Sequence, residues 1–193
     1  MTPVKPLFAI LLFALNLHSA TAQTPGQAAP AQPQPARGQS QEILAYWSQI
    51  GHRLITMAED FPEDKYGFKP QKDQRSFGEN FVHVADENYR LLTAIKGSPV
   101  GPAGGKELKP DDYKTKAAVV KLIKDVVAEG EALLKEQGEA GINREVKYPY
   151  GNFMMHASVA WLDAIEHSAE HYGQLVVYYR VLGMVPPASR PKK

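Results

Sequence analysis

Apolar residues recur at alternating spacings of three and four in separate stretches of this chain, and no stretch alternates with a period of two. Such spacing keeps one helical face apolar, so the chain must bury stripes of helix against one another. The first stripe is Ile43, Trp47, Ile50, Leu54, Met57 and Phe61, closed by Pro62. The second opens at Ser76, where Ser76-Phe77-Gly78-Glu79 fits a capping box, and continues through Phe77, Phe81, Val84, Asn88, Leu91 and Ile95. Gly97-Ser98-Pro99 stops it and begins a Gly/Pro-rich loop, to about Pro110, to which the sequence assigns no role. Asp111 or Asp112 is the expected cap of a third helix carrying Val119, Leu122, Ile123, Val126, Leu133 and Leu134 and ending at Gly138 and Gly141. The fourth and longest is expected from just after Tyr148-Pro149-Tyr150-Gly151-Asn152 to Leu182, with Gly183 and Pro186-Pro187 beyond it. The expected fold is all-α, a four-helix bundle.

The first forty residues have a different character. Lys5 precedes an apolar run from Leu7 to Leu17, and Ala20-Thr21-Ala22 offers a small-x-small cleavage site. This pattern predicts a signal peptide over 1–22, with Gln23 as the mature N-terminus and a periplasmic or secreted protein. The run is too short for a stable membrane span, so no stable anchor is expected after cleavage. Residues 23–40, rich in Pro, Ala, Gln and Gly, read as a disordered linker, and the folded domain is expected over 41–190.

Composition narrows the function classes. The 22 Lys and Arg against 21 Asp and Glu leave almost no net charge, which speaks against a nucleic-acid partner. There is no cysteine. Disulfide scaffolds, thiolate metal sites, cysteine nucleophiles and lipidated N-termini are therefore excluded.

Histidine carries the candidate chemistry. His52, His83, His156, His167 and His171 all fall on predicted helices. His167 and His171 are separated by ~400° of rotation and ~6 Å of rise, so both rings leave one face and can reach one ion. They share a stripe with Ala160, Ala164, Gln174 and Tyr178. His83 sits beside the apolar stripe of the second helix, with Glu87 one turn on. Three histidines from two helices would leave a position open, as in catalytic zinc sites. Spacing alone does not say that His83 faces the pair. His156 is ~16 Å along the helix from His167 and, with His52, reads as structural or surface. Glu166 and Glu170 flank the pair and are candidates to orient its rings, or simply a solvated face. Tyr150, Tyr172 and Tyr178 are candidates to line a pocket, or core aromatics.

Several blocks together resemble the DinB/YfiT-like superfamily. They are Phe61-Pro62-Glu63-Asp64-Lys65-Tyr66-Gly67-Phe68-Lys69-Pro70 with Arg75-Ser76-Phe77-Gly78-Glu79, then Phe81-Val82-His83-Val84-Ala85-Asp86. The last runs from Glu166 through His167-Ser168-Ala169-Glu170-His171 to Leu175, followed by Tyr179-Arg180-Val181-Leu182-Gly183. The resemblance spans Gln41 to Ser189. It implies a four-helix bundle with a divalent metal held by one histidine of the second helix and two of the fourth, here His83, His167 and His171. Zn or Ni is favoured, with Fe, Cu or Mn also compatible. The resemblance further implies a metal-dependent enzyme of hydrolase or transferase type acting on a small molecule, with water or substrate at the open position. Glu87, one turn after His83, is on its position a candidate base or a group that orients a ligand. The alternative is a non-catalytic metal-binding or stress-response bundle of the cell envelope. Export weakens the thiol-transferase option, because small thiols are scarcer outside the cytosol. A homodimer fits bundles of this kind.

Overall fold

The computed structural model describes residues 36–191. The expected signal peptide and most of the expected linker lie outside them. The described residues form four helices, α1 (Gln39–Asp60), α2 (Phe77–Lys96), α3 (Lys116–Ile142) and α4 (Ala157–Val181). Short 3-10 turns occupy Glu63–Lys65, Pro110–Asp112 and Pro187–Ser189. None of these helices is long and apolar enough to cross a membrane.

The apolar stripes are buried as their spacing requires. Ile43, Trp47, Ile50, Leu54, Met57 and Phe61 all lie in the core, as does the whole stripe of α2, including the polar Asn88. The capping box forms: the Ser76 amide donates to Glu79 Oε2 at 2.6 Å and the Glu79 amide to Ser76 Oγ at 3.2 Å. One end of the core is aromatic, with Phe61 stacked on Phe77 at 3.5 Å between centroids and Tyr66, Phe81 and Tyr179 meeting them edge-on.

Helix directions follow from which residues meet. Ser40 reaches Glu139 and Ser48 reaches Glu131, so α1 and α3 are antiparallel. Trp47 meets Trp161 and Met57 meets Tyr179, so α1 and α4 run the same way. Asn80 meets Tyr178 and Asn88 meets Ser168, so α2 opposes α4 and therefore runs parallel to α3.

That parallel pair explains the Gly/Pro-rich loop. To start α3 beside the start of α2, the chain must travel back along a 20-residue helix, ~30 Å at 1.5 Å per residue. The return path is pinned to α2 at successive heights. The Val100 amide donates to Thr93 Oγ1 at 3.1 Å, and the Leu108 amide to Asp86 Oδ1 at 2.7 Å. Asp86 also holds Arg90 Nε at 3.0 Å. Between these pins Gly101 lies against the Tyr89 ring with φ +80°, and a Cβ there would stand 2.4 Å from a ring carbon.

Four local expectations are corrected. Two three-residue strands exist, β1 (Glu145–Lys147) and β2 (Met154–His156), paired antiparallel with Val146 opposite Met155. Three residues are too few to display an alternation. Consequently α4 starts at Ala157, and His156 is at the end of β2 rather than on the helix, with its Nδ1 3.1 Å from the Asn143 carbonyl oxygen. The cap of α3 is Thr115, whose hydroxyl accepts from the Ala118 amide; Asp111 and Asp112 belong to the preceding 3-10 turn. Gly138 breaks α3 with φ +54°, but a further helical piece follows to Ile142 and includes Gly141.

The α1–α3 contact is closest at Gly130, where a Cβ would lie 2.5 Å from the Trp47 ring. That ring cannot yield, because its Nε1–H donates to the Val127 carbonyl at 2.9 Å and its other side meets Trp161. Gly130→Ala gains about 1 kcal/mol of helix propensity. It meets an overpacking cost of about 1–3 kcal/mol, which leaves a net loss of up to about 2 kcal/mol, so thermal unfolding is expected a few degrees below wild type. Gly173 in α4 has open space where a Cβ would go, so Gly173→Ala is expected to leave the midpoint unchanged or raise it.

Candidate metal centre

The antiparallel pairing of α2 with α4 sets His83 opposite His167 and His171. One ring nitrogen from each of the three lies within 4.8 Å of those of the other two. His83 Nε2 and His167 Nε2 stand 3.3 Å apart. Two nitrogens bound at about 2.0–2.1 Å to one tetrahedral zinc would themselves be about 3.3–3.4 Å apart. The donor set and spacing fit a divalent ion. The small Ala160 and Ala164, both fully buried, precede the pair on α4.

Hydrogen bonding fixes how His171 presents itself. Backbone carbonyls of Arg75 and Ser76 only accept. The Tyr178 hydroxyl must therefore donate to Arg75 O, which leaves its oxygen to accept from Asn80 Nδ2 at 2.9 Å. Asn80 Nδ2 also donates to Ser76 O at 2.9 Å. Both donors of the amide are spent, so Oδ1 is the atom 3.2 Å from His171 Nδ1 and accepts its proton. The Nε2 lone pair of His171 is then free for an ion. This is how ligating histidines are commonly held, with the second nitrogen donating to an oxygen.

Electrostatics favour the neutral, ligating form of His171 and His83. Burial, reinforced by His167, His83 and Arg75, pushes the His171 pKa down to about 4. His83 is lowered as well, first by burial and then by Arg75 and His167, with Glu87 and Asp86 opposing. His167 Nδ1 is buried without a hydrogen-bond partner.

The remaining candidates take different places. Glu87 is half-buried one turn along α2 from His83, with its charge near the Tyr150 phenol. Burial and that carboxylate both push the Tyr150 pKa up. Burial, with the Asp163 carboxylate, pushes the Tyr148 pKa up. Glu166 and Glu170 are exposed, and the group that orients His171 is Asn80, which sequence reasoning passed over. The signal was present: Asn80 is one turn before His83 and directly follows the Ser76–Glu79 capping box. Tyr178 is buried and belongs to the Asn80 network, whereas Tyr172 lies under the Arg53 guanidinium, 5.9 Å from its ring centre. Exposed His52 has no part in the cluster.

A cleft of about 610 Å³ is walled by Asp73, Gln74, Arg75, Asn80, Gln174 and Tyr178 among others, and none of the three histidines lines it. It shares Asn80 with the network that holds His171.

A four-helix bundle in which one histidine of the second helix meets an HxxxH pair of the fourth defines the class of protein. More specifically, the chain belongs to the DinB superfamily, whose family profile matches residues 46–175. It is 26% identical over 149 residues to the uncharacterized protein YjoA of Bacillus subtilis (strain 168), covering 75% of this chain and 92% of that protein. The crystal structure of a DinB-like protein, YjoA from Bacillus subtilis, shares the fold with a TM-score of 0.60. The identity there is 22%, over 78% of this chain and 99% of that one.

Asn80→Ala removes the acceptor for His171 Nδ1–H. Its expected effect is a metal affinity about 10- to 100-fold weaker at unchanged stoichiometry, measured by competition with a chelating indicator.

Proposed function

We propose that this chain is an exported metal-dependent enzyme, of hydrolase or transferase type, holding one divalent ion through His83, His167 and His171. The observation that carries the reading is the number of ligands. Among the described residues, three histidines converge and no fourth His, Asp or Glu joins them. A tetrahedral ion there keeps a position free, whereas structural sites close with four protein ligands. An ion bound in this way supplies Lewis acidity at the open position. Zn or Ni suits a neutral all-imidazole donor set best, and Fe, Cu or Mn are also compatible.

The protein's own groups have distinct tasks in this reading. Asn80 fixes the His171 tautomer. Glu87 receives a proton from the reacting group, near a Tyr150 phenol that is itself kept protonated. The adjacent cleft takes the substrate, and its size is that of a small-molecule site.

The first test is metal content of the untagged chain by mass spectrometry. About one ion per chain is expected, lost in His83→Ala, His167→Ala and His171→Ala. Wild-type protein that stays metal-free after incubation with Zn, Ni, Cu and Mn would sink the reading. Export is checked separately: protein recovered from its native host should begin at Gln23 on N-terminal sequencing, and retention of Met1 or Thr2 would exclude cleavage.

A further inference from the structure

We infer that the outer face of α4 is a self-complementary interface for a second copy of this chain, the two α4 helices antiparallel and Glu166 of each opposite Arg180 of the other. Exposed apolar surface is unevenly spread over the molecule. Of the nine large apolar side chains exposed among the described residues, eight fall between Tyr150 and Val185, and the ninth is Tyr46. Val159, Leu162, Val177 and Val181 stand on α4 itself, each 45–57% exposed. The other helices show solvent mainly polar groups. α1 presents Gln49, His52 and Arg53, and α3 presents Lys121 and Lys135, which pair with Asp125 and Glu131 of their own helix. The return loop is pinned along α2.

The charges on this face are placed in an unusual way. Residues seven apart on a helix differ by ~700°, about 20° short of two turns, so Glu166, Gly173 and Arg180 share one line along α4. The two charges stand ~10.5 Å to either side of Gly173 along the axis. Both are exposed, and neither side chain makes a hydrogen bond or ion pair with its own chain among the described residues. Between them lie exposed Ala169 and Gly173, with nothing within 4 Å of where a Gly173 Cβ would be. Small side chains there leave room for another helix to lie along the face.

Opposite charges at equal distances from a small residue form a pattern that a two-fold axis completes. An axis through Gly173, perpendicular to α4, sets Glu166 opposite the partner's Arg180 and Arg180 opposite the partner's Glu166. It also sets Val177 opposite the partner's Ala169. A parallel pairing would instead bring Glu166 against the partner's Glu166. The apolar groups supply the affinity and the two ion pairs supply the register, since exposed pairs add little energy whereas like charges set together are costly. An unrelated partner would have no use for this symmetry. Gly173 and His171 are ~200° apart around the helix, so the interface faces away from the histidine cluster and does not depend on the metal reading.

The untagged chain is followed by sedimentation equilibrium across micromolar loadings at low ionic strength, beside Glu166→Arg, Arg180→Glu, the double reversal and Val177→Glu. Wild type is expected to form a dimer. Each single reversal puts like charges together twice and is expected to weaken dimerisation at least about tenfold, a gap that added salt narrows. The double reversal exchanges the two signs and is expected to recover the dimer, which also shows that both substitutions leave the fold intact. Val177→Glu carries a charge into the apolar stripe and is expected to be monomeric with a wild-type circular dichroism spectrum. A wild type that stays monomeric at the highest loading would overturn the proposal. So would single reversals or a Val177→Glu chain that dimerise as well as wild type, or a folded double reversal that stays monomeric.

Discussion

A carbonyl oxygen accepts hydrogen bonds and never donates, and that restriction sets the direction of every bond between the start of α2 and the histidine cluster. Arg75 O and Ser76 O are the fixed points. From them the polarity passes through Tyr178 and the Asn80 amide to the ring of His171. The tautomer of a candidate ligand is therefore decided by backbone geometry. Ser76 takes part twice, since its hydroxyl and amide also close the capping box with Glu79. The first turn of α2 is both a helix start and the foundation of the site.

The three rings are not supported equally. His171 is buried and donates to Asn80. His83 is half-buried between opposing charges, with Arg75 on one side and Glu87 and Asp86 on the other. His167 has a buried Nδ1 with no partner, a cost that packed interiors rarely carry without reason. Three close imidazoles disfavour protons on one another, and an ion would replace that mutual repulsion with shared attraction. The cluster makes little sense as a device for stability alone.

Much of the architecture was legible because helical periodicity is a local signal. The stripes of α1 and α2, the Ser76–Glu79 cap and the HxxxH spacing each depend on residues within one or two turns. What was hidden depends on distant partners. No spacing rule could turn His83 toward α4; only the likeness to a known family suggested it, and the antiparallel pairing of the two helices supplies the reason. The hairpin escaped because its strands are three residues long and flank an aromatic-rich turn. Asn80 escaped because an amide on a helix reads as solvated until its neighbours are known. The loop after α2 looked merely irregular, since its composition announces turns but says nothing of the Asp86 and Thr93 side chains that receive it.

That loop is also a ruler. Climbing ~30 Å takes about nine extended residues at ~3.3 Å each, and the segment from Gly97 to Thr115 is longer than that, which is what lets α3 run alongside α2 in the same direction. A short turn at Gly97 would send the next helix back against α2, exchanging an up-down-down-up bundle for a simple meander. The stripe of α3 would then meet its neighbours in reverse order, with Gly130 carried away from Trp47. Lengthening the loop only adds slack, which costs little because closure entropy grows slowly with length. The segment is thus asymmetric in what it tolerates: it can gain residues freely, but once cut below about nine it no longer reaches the start of α2 and a different topology must follow.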